Sequence, residues 1–109
     1  MRIKINNRYW NIIEVNANSN YLVRSDNIYT LGVTDDNTSC IYINNMLSDD
    51  MRTKVVSHET VHAVCFSYGI SIPIDTEELI ADFVATYGRE VIEIADVVIS
   101  RLKNSKKIS

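Results

Sequence analysis

The sequence predicts an α+β domain, strands first and helices second. Three observations carry this. Residues 1–47 hold short apolar runs separated by Asn- and Asp-rich segments. Residues 48–68 carry a start signal, Ser48, and a stop signal, Gly69, around an uninterrupted run of helix-compatible residues. From residue 75 to residue 103, apolar positions recur at steps of three and four. A chain of 109 residues is one domain by size and can bury roughly two-thirds of its unfolded surface. The expected organisation is therefore a single unit over 1–109: strands in 1–47, a first helix in 48–68 and a second helical region in 75–103.

The strands follow in order. Arg8 to Val15 carries Tyr9, Trp10, Ile12, Ile13 and Val15. Asn16 to Asn20 is a turn by composition. Tyr21-Leu22-Val23 begins a second strand, and Asp26-Asn27 marks another turn. Ile28 to Val33 is a third, alternating strand. Asp35-Asp36-Asn37-Thr38 is a strong turn signal. Ser39 to Asn44 then alternates, with Ile41 and Ile43 on one face and Cys40 and Tyr42 on the other. Short strands with polar turns between them predict an antiparallel β-meander.

The helices are equally explicit. Ser48 is an N-cap, and Asp49 and Asp50 occupy the first turn, where the helix dipole favours anions. Pro73 bars the next helix from starting early, and Asp75 is its expected N-cap. The long stripe is Leu79, Ile80, Phe83, Val84, Tyr87, Val91, Ile94, Val98 and Leu102, with Gly88 as a point of bending or division.

Bulk properties exclude several classes. Hydrophobic residues are 46% and charged residues 23%, an ordinary globular composition. A net charge of -3 offers no nucleic-acid-binding face. The basic tail of Arg101, Lys103, Lys106 and Lys107 reads as a solvated helix end. No run reaches the roughly 18 apolar residues of a membrane span, and MRIKINNRYW has no signal-peptide core. Cys40 and Cys65 make no disulfide framework, so they read as reduced thiols in a cytoplasmic protein.

The first helix contains His58-Glu59-Thr60-Val61-His62, an H-E-x-x-H that uses both histidines of the chain. On a helix, positions i and i+4 share a face, so both imidazoles can close on one Zn²⁺. Glu59 can then act as general base. A catalytic zinc needs a third protein ligand. Glu78 and Asp82, four apart on the second helix, divide the work sensibly. Glu78 would bind the metal, and Asp82 would accept a hydrogen bond from the far nitrogen of a zinc histidine, His58. Glu77 is the fallback ligand. Glu78 has a competing explanation as the N3 residue of a capping box with Asp75. The need for a third ligand and the spacing to Asp82 favour the metal role. Cys65, one turn after His62, reads as core. Tyr87 and Tyr68 are alternative oxyanion donors. Ser39, Cys40, Ile41, Tyr42 and Ile43 form the expected edge strand for an extended substrate.

The pairing of H-E-x-x-H with E-x-x-x-D resembles the gluzincin metallopeptidases over His58 to Asp82. The small size, the leading strands and the run Glu78, Ala81, Asp82, Ala85 look like the compact ImmA/IrrE-type peptidases of phages and mobile elements. That family usually has Asn at the position of Asp82. The resemblance implies a minimal zincin-like fold and a protein or peptide substrate, such as a repressor or other regulatory protein. Three functions follow: a cytoplasmic zinc endopeptidase, a zincin-fold binding module that cuts nothing, and a metal-free interaction protein. An intact Glu59 favours the first. Oligomeric state is open, since Val91 to Ile99 could bury internally or against another subunit.

Overall fold

The computed structural model describes residues 1–108, with side chains through Ser105. Four strands come first: β1 (Arg2–Ile5), β2 (Arg8–Val15), β3 (Gly32–Asp35) and β4 (Cys40–Asn44). Two helices follow, α1 (Asp49–Tyr68) and α2 (Ile74–Ile108). The α+β class is the expected one. The sheet is mixed rather than a meander, with strand order β1-β2-β4-β3. β2 runs parallel to β4, while β1–β2 and β3–β4 are antiparallel. Composition explains the placement. β4 is apolar on both faces, and all five of its residues are buried. Such a strand belongs in the middle, where both faces are covered. β3 carries Gly, Thr and Asp and takes the edge.

Local corrections have similar causes. β1 was not expected. It forms because Asn6 and Asn7 both take positive φ (47° and 64°), the geometry of a tight two-residue hairpin. The alternation R-I-K-I before Asn-Asn is the signal that marks it. The expected strand at Tyr21–Val23 is instead a 3₁₀ turn over Asn20–Leu22, with Val23 bridging only Tyr29. Ile28 to Leu31 stays irregular, and the strand begins at Gly32. The Asp35 turn is as read: its carboxylate accepts from Asn37 N and Thr38 Oγ1.

α1 keeps both of its signals. Ser48 Oγ accepts from Met51 N, and Gly69 adopts the left-handed conformation at φ 64° with its N–H on the carbonyls of Cys65 and Phe66. α2 starts at Ile74, where Glu77 N bonds Pro73 O, so Asp75 lies inside the first turn and is not the cap. Proline at the boundary, with its preset φ, displaces the expected cap by two residues. α2 passes through Gly88 undivided. Arg101 and Lys103 are exposed on it, while the side chains of Lys106 and Lys107 lie outside those described.

One face of the sheet packs on α1. Trp10, Ile41, Ile43 and Ala63 form that core, with Ile3, Ile5, Ile12, Leu47 and Val55 around it. Trp10 Nε1 donates to Ser67 Oγ at 2.8 Å, which ties the sheet to the C-terminal turn of α1. The other face is covered by Leu22 against Cys40, Tyr42 and Val15. Both cysteines are free and buried. Among the described residues, no helix is long and apolar enough to cross a membrane.

Candidate metal centre

The site lies where α1, α2 and β3 meet. α1 is anchored over the sheet, so the face carrying His58, Glu59 and His62 looks toward β3 and α2. The connector to α2 is only Gly69 to Pro73. So short a link makes the two helices spatial neighbours, and it brings the opening turns of α2 alongside the histidines.

His58, His62 and Glu78 each offer a ligand atom, all within 4.8 Å of one another. The two Nε2 atoms stand 3.2 Å apart. Glu78 spans them, with Oε1 at 2.7 Å from His62 Nε2 and Oε2 at 3.2 Å from His58 Nε2. Behind the rings, His58 Nδ1 meets Asp82 Oδ1 at 2.9 Å, and His62 Nδ1 meets Glu77 Oε2.

This pattern can be tested for a metal by counting protons. A carboxylate accepts only, so each Nδ1 carries the hydrogen, and that leaves Nε2 as the lone-pair atom of a neutral ring. Two lone pairs 3.2 Å apart, with a carboxylate across both, have no hydrogen between them. Protonating both rings would set two cations edge to edge. A cation at the convergence resolves either difficulty. Two nitrogens about 2.0–2.1 Å from one tetrahedral Zn²⁺ would stand roughly 3.3 Å apart. The observed spacing fits that value. Four carboxylates, Glu59, Glu77, Glu78 and Asp82, also surround only two imidazoles, and a divalent ion offsets part of that charge.

Glu59 is 7% exposed and sits beside this cluster. Its Oε1 accepts from Thr34 Oγ1 at 2.9 Å, and its Oε2 lies 3.9 Å from His58 Nε2. Burial pushes its carboxyl above the ordinary carboxylate range and the nearby Glu78 charge adds to that. The Thr34 hydroxyl and the two histidines pull the other way. The cleft measures about 730 Å³, within the range of small-ligand sites. Its walls include Thr30 to Thr34, Lys54, Val55, Phe66 and Thr86.

Not every expected residue comes to the cleft. Ser39 to Ile43 cannot present an edge, because β4 is paired on both sides. The strand bordering the cleft is β3. Its clue in the sequence was polarity: a strand with Thr and Asp is suited to an edge. Tyr68 and Tyr87 are 58% and 53% exposed and do not line the cleft. Tyr87 packs against Phe83 instead. Cys65 lies outside the ligand group, and burial followed by the nearby Glu77 charge pushes its thiol up. Asp82 meets His58 from the rim, its side chain 72% exposed. Thr34, the hydroxyl partner of Glu59, stands 25 residues away in the chain, and no local pattern marks it.

A sheet followed by an H-E-x-x-H helix and a carboxylate-bearing helix defines a zincin-like domain of the metallopeptidase type. Residues 11–99 match the peptidase family described as the IrrE N-terminal-like domain. The chain belongs to that family. No curated protein and no solved structure matched it.

Proposed function

We propose that the protein is a zinc endopeptidase in which His58, His62 and Glu78 hold one Zn²⁺ and Glu59 is the general base. The observation that carries this reading is the convergence of both Nε2 atoms and the Glu78 carboxylate, with each Nδ1 already committed to a carboxylate. A zinc ion held there supplies Lewis acidity that makes water nucleophilic near neutral pH and polarises a carbonyl. Asp82 and Glu77 fix the histidine tautomers and raise ring basicity. Glu77 therefore acts behind His62 rather than as the fallback ligand. Glu59 takes the water proton on Oε2, the oxygen nearer the histidines, and later returns it to the leaving amine. An extended substrate adds to the free edge of β3, bonding through its backbone. Tyr68 and Tyr87, which do not line the cleft, have no part in this reading.

The substrate we infer is a protein, with a regulatory protein such as a repressor favoured by the family. Two free, buried thiols agree with a reducing, cytoplasmic setting. The test is Glu59→Gln in zinc-loaded protein, with unfolded casein as probe. It should retain zinc and lose hydrolysis by about 10²–10⁴-fold. Parent-level cleavage by that variant would rule out the assignment.

A further inference from the structure

We infer that Thr34 is a positioning residue for Glu59: its hydroxyl holds one carboxylate oxygen, so the other faces the histidines. The inference rests on the peptidase reading and deepens it. Glu59 has three side-chain torsions, and nothing in the H-E-x-x-H pattern itself sets them. β3 does. Thr34 Oγ1 lies 2.9 Å from Glu59 Oε1 and 3.0 Å from the Glu59 carbonyl oxygen. A hydroxyl has one proton, so it donates to one of these at a time. Either bond keeps Thr34 against the Glu59 residue. With the proton on the shorter contact Oε1 is occupied, and Oε2 is the oxygen 3.9 Å from His58 Nε2.

The strand can come this close only because of its first residue. A Cβ on Gly32 would lie 2.7 Å from Val55 Cγ1 and 3.0 Å from Glu59 Cγ. Gly32 and Thr34, two apart, point to the same face of β3, and that face meets α1. Gly32 thus permits the approach, and Thr34 uses it. The spacing G-x-T on the cleft strand and the glutamate on α1 form one device assembled from two elements.

The experiment compares zinc-loaded Thr34→Val, the same shape without the hydroxyl, with Thr34→Ser, which keeps the hydroxyl. Zinc stoichiometry should equal the parent's in both. On unfolded casein, Thr34→Val should lose about 10–100-fold in kcat at unchanged KM. Thr34→Ser should recover to within about threefold of the parent on the same reasoning. A crystal structure of Thr34→Val should show the Glu59 carboxylate displaced by roughly 1 Å or more, the scale at which misplacement costs rate. Parent-level kcat in Thr34→Val, or an unmoved Glu59 carboxylate, overturns the inference. The Glu59→Gln control keeps the two readings apart. If it cleaves like the parent, the peptidase reading fails. If it is inactive while Thr34→Val is fully active, only the positioning role fails. Should the parent not cleave casein, the crystallographic comparison decides alone.

Discussion

The two halves of α2 carry the same apolar stripe, exposed in both (Leu79, Ile80, Phe83 and Tyr87 at 42–69% in the first), but only the first half buries another face against α1. The first half, Ile74 to Tyr87, lies beside α1. Ala81 is fully buried there, Glu77 is 7% exposed, and Glu77, Glu78 and Asp82 reach the two histidines. Arg89 to Ser57 Oγ, at 3.1 Å, is a late contact to α1. Beyond it, Val91, Ile92, Ile94, Val98 and Leu102 are all 46–61% exposed. A 35-residue helix spans about 52 Å, and a 20-residue one about 30 Å. α1 is simply too short to cover the rest. The difference teaches that a stripe of apolar residues specifies a helix and a face, but not what covers the face. Carboxylates likewise meet the imidazoles only where the helix passes them.

The comparison can be broken most forcefully at the histidines. His62→Ala removes one of the three proposed ligand residues, and zinc content measured by elemental analysis should fall from stoichiometric to trace. Removing the exposed distal stripe instead (Val91→Ser, Ile94→Ser, Val98→Ser) should leave zinc content at the parent's level. Equal zinc in the parent and in His62→Ala would place the metal elsewhere.

A smaller effect separates the two carboxylates behind the rings. Glu77→Gln and Asp82→Asn should each weaken zinc affinity by about 10–100-fold in competition with a chelator. Glu77 should show the larger loss, because it is buried whereas the Asp82 side chain is 72% exposed and water can replace it. The reverse order would mean that the exposed pair does the orienting.

Gly32→Ala probes the seam between β3 and α1. Its new Cβ would meet Val55 Cγ1 at 2.7 Å, an overpacking of about 1–3 kcal/mol. Calorimetry should show Tm lower by roughly 4 °C or more per kcal/mol. An unchanged Tm would show that the seam yields freely.

Smallest of all should be Ile94→Glu, on the uncovered half of α2. Exposed substitutions of this kind usually stay within about 0.5 kcal/mol. A Tm drop of several degrees would reveal that the distal face is covered in solution, and the contrast between the two halves would disappear.

Much of this was legible in the chain. Ser48 and Gly69 bounded α1 because capping is local chemistry, read within a turn. The H-E-x-x-H announced paired imidazoles because helical geometry places i and i+4 on one face. The Asp35 turn was legible for the same reason. Misreadings arose where the answer depended on distant partners. Pairing of β2 with β4 joins residues about 29 apart, as Asn11 with Cys40, and no local pattern encodes it. That pairing puts β3, not β4, at the border of the cleft. Asp75 lost its role as cap because Pro73 let the helix begin two residues earlier, at Ile74.

The sequence by itself determined the helices, the caps of α1, the two histidines and the shared face of Glu78 and Asp82, all consequences of local chemistry and of periods within one helix. Only the tertiary structure decided which strand borders the cleft, that Glu77 meets His62 at Nδ1, and that Thr34 grips Glu59. Those are contacts between elements, and their geometry exists only once packing has set the elements side by side.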